Sequence, residues 1–324
     1  MGFLDTTYTG GVIAAREKYL LKDKIYRLCE LTAEEAFRLL LDSGFGGGAE
    51  TTASVYEYEK LIAVEEERLD SFIREYAPSK TEKAYLLAVR DFHNAKALIK
   101  AAYLNESADK MLTGEGLIEI QTLKSCVQTA DFSALENGFL RNACKEATVL
   151  LQEEPSGAKV GAIFEKALYG YLRDCVKRKP ILKKLLNAKA DMTNILIAFR
   201  CQDAEQAEDK YLPTGTLTNA ELLQLFETDN DKIRSAFKGG KYAAFIQQCL
   251  DAKEKGLPFT QAEKTVDGYD AAYFSAKKYE LKKSEPFLYY VYRRKSEIAN
   301  VRIVIACLLV GLREQDIKRR LRDF

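Results

Sequence analysis

Three segments of the chain, RDFHNAKALIKAAYL, KADMTNILIAFRCQD and KSEIANVRIVIACLL, are versions of one helical pattern, and this recurrence limits the fold more than any other feature. Superposing them aligns Asn94, Asn194 and Asn300, which stand 100 and 106 residues apart. Asp91, Asp191 and Glu297 lie three positions before them. In the first copy Ala84, Leu87, Ala88, Phe92, Ala95, Leu98, Ile99 and Ala102 recur at steps of three and four, which predicts a long helix with one apolar face. The repeat extends on both sides. Long amphipathic segments precede each copy, and a glycine turn and a short helical pattern follow, in MLTGEGLIEIQTLKS, YLPTGTLTNAELLQL and VGLREQDIKRRL. The N-terminal IAAREKYLLKDKIYRLCELTAEEAFRLL has the same order, a long helix then a short one, without the polar pair.

A period near one hundred residues exceeds that of stacked helix-pair repeats, which run about 34 to 47 residues. Each copy is therefore closer to a small domain, and three such units form either an extended chain or a ring around a pseudo-threefold axis. The expected division is 1–110, 111–210 and 211–324, with the terminal helices closing the set. Six prolines in 324 residues and no sustained alternation of apolar and polar residues argue for an all-α chain. Glycine-rich stretches such as GFGGGAE and FKGGKY read as turns between helices.

The balance of 49 basic against 48 acidic residues removes the electrostatic case for wholesale binding to nucleic acid or anionic membranes. The start MGFLDTTYTGG has no basic stretch leading into an apolar one, so no secretory signal is expected and the chain should stay in the cytosol. The longest uncharged apolar run, IVIACLLVGL, has ten residues where a bilayer takes about 20, and reads as a buried core helix. Seven cysteines without a C-x-x-C pair read as reduced thiols. His93 is the single histidine, so neither a metal centre nor a Ser-His-Asp arrangement is expected. No G-x-x-x-x-G-K-[ST] sequence occurs; in KGGKYA the first glycine of that motif is replaced by Ser235, and Tyr242 follows the lysine. No cofactor is expected.

Two groups of candidate functional residues remain. Asp91 with Asn94, Asp191 with Asn194 and Glu297 with Asn300 each place two polar groups one turn apart on a helix. They read either as a buried polar network that fixes helix register or as a binding surface lining the inside of a ring. Residues 287–324 hold nine Lys and Arg against four acids, and Arg293, Arg294, Lys295, Arg319 and Arg320 form the candidate docking cluster for an acidic partner surface. The acidic run EEER at 65–68 reads as the exposed side of its helix. Two other classes fit an all-helical chain without motifs: a helical-repeat scaffold or adaptor, and an enzyme with no recognised signature.

The threefold acid-x-x-Asn helices, the opening AAREKYLLKDKIYRLCELTAEEAFRLLLDSGF and the ending EPFLYYVYRRKSEIANVRIVIACLLVGLREQDIKRRLRDF closely resemble the C-type central-stalk component of the archaeal and bacterial V/A-type rotary ATPases, which is the equivalent of the d component of eukaryotic V-ATPases. The likeness covers essentially the whole chain. Its most specific part is the last block, where Pro286, Tyr289, Lys295, Glu297, Ile298, Val301, Arg302, Gly311, Ile317, Leu321 and Arg322 fall at the family's positions. At Phe324 this sequence stops where members of the family often continue with a tyrosine and a short tail. The resemblance implies a funnel of three helical domains around a pseudo-threefold axis. It further implies a non-catalytic, torque-transmitting rotor piece. Its partners would be the central-shaft subunits at the wide mouth and the membrane proteolipid ring on the opposite face. The expectation is a chain that is monomeric in isolation and bound peripherally to the cytoplasmic side of the membrane, spanning no bilayer. The acid-x-x-Asn residues are then candidates for the shaft socket.

Overall fold

The computed structural model describes residues 6–17, 20–21, 24–50, 54–227, 229–277 and 282–322; Phe324 lies outside them. Among the described residues there are sixteen α-helices, three short 3-10 helices and no strand, the all-α architecture that the periodicity predicts. None of these helices is long and apolar enough to cross a membrane. The three motif helices are Lys80–Leu104, Pro180–Arg200 and Glu285–Leu309. Each is followed by a short helix, Ile120–Thr129, Asn219–Leu223 and Glu314–Arg320.

Helix starts follow local chemistry. Asn137 accepts from the Phe139 and Leu140 N–H groups, and Ser156 from that of Lys159, so two consecutive helices, Gly138–Glu153 and Gly157–Cys175, open on satisfied donors. Thr32 with Glu35 and Thr218 with Glu221 form reciprocal capping boxes. Pro180 opens the second motif helix, where its missing N–H has no partner to lose.

The N-terminal segment departs from its predicted long helix. It forms Thr6–Glu17, Lys24–Leu28 and Ala33–Asp42, with Leu20 and Leu21 outside any helix. Turn bonds from Leu20 N–H to the Glu17 carbonyl and from Lys24 N–H to the Leu21 carbonyl close this break, and both leucines are buried there. A second departure lies in the first motif helix, where Ala101 is buried and Ala102, one position on, is exposed.

The chain divides into two compact units, residues 1–83 with 267–324, and residues 84–266. In the first, the third motif helix packs against helix Tyr58–Tyr76. Phe72 lies between Phe287, stacked at 5.5 Å, and Tyr290, edge-on at 4.9 Å. Phe72 and Phe287 are fully buried, each contributing about 1.5–3 kcal/mol over an exposed position. At the helix edge Arg302 spans Glu59, at 3.0 Å, and Glu66, at 3.2 Å. In the second unit, Phe92, Leu123, Leu140, Val160 and Phe164 belong to one apolar core. There a Cβ at Gly170 would stand 2.9 Å from the Phe139 ring, so helix Gly157–Cys175 meets its neighbour with no room for a side chain.

Candidate functional site

All three acid-x-x-Asn pairs are buried, and they bind mostly backbone. In the first copy both oxygens of Asp91 accept from the Leu117 N–H at 3.0 Å, and Oδ1 also accepts from Ile118 at 3.1 Å. One turn along, Asn94 Oδ1 accepts from the Thr113 N–H at 2.9 Å, while Nδ2 donates to the Thr113 carbonyl at 3.4 Å and to that of Gly114 at 3.3 Å. In the second copy Asp191 accepts from the N–H groups of Thr216, at 2.6 Å, and Leu217, at 2.9 Å, and from the Thr216 hydroxyl. Asn194 accepts from the Leu212 N–H at 2.8 Å and donates to the Leu212 carbonyl at 3.4 Å. In the third, Asn300 accepts from the Arg322 N–H at 2.7 Å and donates to its carbonyl at 3.0 Å. Both members of the first two pairs, and Asn300 of the third, therefore hold down chain that follows their helix.

The residue types follow from what they face. A carboxylate only accepts, and the loop turns successive N–H groups toward Asp91 and Asp191. The asparagine meets both the N–H and the C=O of one residue. Only a side chain with an acceptor and a donor side by side satisfies both, and the amide does. The glycines supply room: a Cβ at Gly116 or at Gly215 would overlap the carboxylate of Asp91 or Asp191. Gly215 also sits at φ +129, where other residues are strained.

The second copy has an additional arm. Tyr242, within the KGGKYA stretch, donates its hydroxyl to Asp191 Oδ2 at 2.5 Å and accepts from Lys241 Nζ at 2.6 Å. Burial pushes the Lys241 ammonium below its usual pKa, with Asp191 opposing that shift.

The third copy diverges at its acid. Glu297 accepts from Arg294 Nη1 at 2.9 Å, and Arg294 Nη2 donates to Glu65. Glu65 Oε1 also accepts from Arg68 at 2.7 Å and from the Gly46 N–H at 2.8 Å. Burial works against the Arg294 charge, but the two flanking carboxylates outweigh it, so the guanidinium is held above its usual pKa. Glu65 corrects the expectation of an exposed EEER run, being 3% exposed. Its place between Leu61 and Leu69, four residues from each, puts it on the apolar face of its helix. Gly46, at φ +63, completes this site, because a Cβ there would lie 2.5 Å from that of Leu61.

The candidate docking cluster is thereby spread over different surroundings. Arg294 is internal. Arg293 lies over the Tyr289 ring at 6.0 Å and Lys295 over Tyr292 at 5.9 Å, both partly exposed. Arg319 and Arg320 are exposed, Arg319 with a loose ion pair to Asp316 at 3.8 Å. His93 Nε2 lies 3.0 Å from the Met111 carbonyl and serves helix-to-loop packing. Among the cysteines, burial pushes the Cys29 thiol up to about 11 and those of Cys144 and Cys249 up to about 12, which leaves protonated, unreactive groups.

The six motif residues were legible in the sequence, five of them making the loop bonds and Glu297 pairing with Arg294, whereas Glu65, Tyr242 and the backbone partners were not. The glycine turns, 25 residues after Asp91 and 24 after Asp191 but 14 after Glu297, were the available signal for the partners. The family described as ATP synthase (C/AC39) subunit matches residues 10–320 of the chain. No curated protein matches it.

Proposed function

Because the chain belongs to the ATP synthase (C/AC39) subunit family, a component of V/A-type ATPase complexes, we propose that it is the central-stalk rotor piece joining the shaft to the membrane proteolipid ring and transmitting torque between them. The family match over residues 10–320 carries this reading. In it the chain has no reaction of its own, works on the cytoplasmic face of the membrane, and comprises three repeat units near 1–110, 111–210 and 211–324.

The clamps support the reading on mechanical grounds. A torque coupler loses work wherever it yields, and a loop anchored by buried hydrogen bonds yields less than one held by its ends. Asp91, Asn94, Asp191, Asn194 and Asn300 would then serve a shaft socket indirectly, by fixing the segments that meet the shaft, and Glu297 by tying its helix through Arg294 to Glu65. The first clamped loop carries exposed Met111 and Leu117, apolar groups suited to such a contact. Arg319 and Arg320, with Arg293 and Lys295 beside the aromatic rings, are the proposed charged docking points, while Arg294 holds the interior. A coupler between rings of different symmetry works best with distributed contacts of this kind.

The test is size-exclusion chromatography of the full chain, monomeric alone, with the recombinant central-shaft subunits. A stoichiometric complex weakened by reversing Arg319 and Arg320 to Glu, or by Asn94→Ala, fits the proposal. Two folded partners that elute separately at micromolar concentration, with and without the proteolipid ring, would contradict it.

A further inference from the structure

In the unit formed by residues 1–83 and 267–324, a cavity of about 450 Å³ lies beside the buried Glu65 and Arg294 pair. That volume is within the range of small-molecule sites, about 300–1,000 Å³. Two of its wall residues have unused capacity. Arg16 stacks its guanidinium over Phe72 at 5.0 Å and Tyr76 at 5.6 Å, and it has no carboxylate partner among the described residues. Tyr290 is more than nine-tenths buried, lines the same cavity, and its hydroxyl has no hydrogen-bond partner among the described residues. The hydroxyl opens on the cavity without a protein partner there, which leaves it free to donate to a bound group.

The charges define what that group is. Arg294 is occupied by Glu65 and Glu297, and Arg68 by Glu65. Three guanidiniums against two carboxylates leave one positive charge, that of Arg16, so the matching ligand carries a single negative charge. A carboxylate has it, whereas a phosphate monoester carries nearly two at neutral pH. Two aromatic rings already orient the Arg16 fork, which takes a planar carboxylate through two parallel N–H groups. Tyr290 is kept protonated, since burial pushes its pKa up while Arg294 and Arg16 only partly oppose this, and so it is a donor. Leu20, Leu21 and Leu69 supply an apolar wall.

We propose that this cavity is a binding site for a small organic monocarboxylate, its carboxylate taken by Arg16 and the Tyr290 hydroxyl and its apolar body by the leucine wall. The site is independent of the rotor reading. It gives the chain a way to sense a short-chain acid, and occupancy would brace helix Thr6–Glu17 against helices Tyr58–Tyr76 and Glu285–Leu309.

The experiment is calorimetric titration of the full chain with hexanoate at constant ionic strength, with hexanamide and inorganic phosphate as comparison probes. Saturable 1:1 binding of hexanoate is expected, with hexanamide and phosphate each at least about tenfold weaker. Arg16→Gln should weaken hexanoate at least about tenfold, Tyr290→Phe about three- to tenfold, and Lys232→Gln, which belongs to the other compact unit and does not line the cavity, not at all. Tyr290→Phe removes a single oxygen and keeps the test valid should Arg16→Gln fail to fold. Absence of saturation below about 10 mM, equal binding of hexanamide, tighter binding of phosphate, or unchanged affinity in Tyr290→Phe would each overturn the assignment.

Discussion

Asn194 pairs with both backbone polar groups of Leu212, accepting its N–H at 2.8 Å and donating to its carbonyl at 3.4 Å. Asn94 does the same with Thr113 and Asn300 with Arg322. A side-chain amide thus stands in for the strand that these segments would otherwise need to satisfy their backbone.

This pairing explains why the second motif position is an amide while the first is an acid. Asn194→Asp keeps the acceptor but sets a carboxylate against the Leu212 carbonyl in a buried site, and is expected to cost about 2–4 kcal/mol. Asn194→Ala should cost about 1–3 kcal/mol. Urea denaturation at neutral pH checks both, and losses below about 0.5 kcal/mol would mean that the clamp contributes nothing.

The glycines form an internal series. Gly116→Ala meets the Asp91 carboxylate, and Gly215→Ala meets that of Asp191 at an unfavourable φ as well. Losses of about 1–3 kcal/mol and about 2–4 kcal/mol are expected. Gly161→Ala, inside helix Gly157–Cys175 with open space around it, should instead stabilise by about 0.5–1 kcal/mol. Thermal melts of the three variants should rank Gly161→Ala highest and Gly215→Ala lowest.

Arg294 links Glu65 to Glu297 in the interior. Arg294→Ala leaves two buried carboxylates without their shared cation and should cost about 3–5 kcal/mol. Arg294→Met combined with Glu65→Gln and Glu297→Gln should recover part of that loss, because neutral groups tolerate the interior better. Denaturant midpoints decide it. A triple variant less stable than Arg294→Ala would show that packing around the guanidinium, and not charge, sets the cost.

Glu221 titrates in a predictable direction. The Thr218 backbone N–H first, then its hydroxyl, holds the carboxyl below the usual carboxylate range. A carboxyl with a depressed folded pKa adds stability fully above its unfolded value and loses it as pH falls through the folded one. Carbon-detected NMR titration should place Glu221 below an exposed reference glutamate. Thr218→Ala should move it only part of the way up, since the backbone donor remains.

The legible and illegible parts of the molecule divide by range. Helix content, the three motif positions and the glycine turns after them follow from local periodicity, and the structure reproduces them. The pairing of Glu65 with Arg294, 229 residues apart, does not, because a helical period says which face a residue occupies and nothing about what covers it. The apolar neighbours Leu61 and Leu69 did mark Glu65 as inward-facing, a signal that the adjacent charges of EEER obscured. Tyr242 was hidden for a different reason. It stands 51 residues beyond Asp191 in a stretch whose glycines suggested only a turn.

The rotor account is tested most directly by reconstituting the V/A-type complex in proteoliposomes with and without this chain, and measuring ATP hydrolysis and ion transport together. The account predicts that omission leaves hydrolysis running while transport falls to the background leak, and that adding the chain restores both in proportion. Transport at an undiminished ratio to hydrolysis in the chain's absence would contradict it.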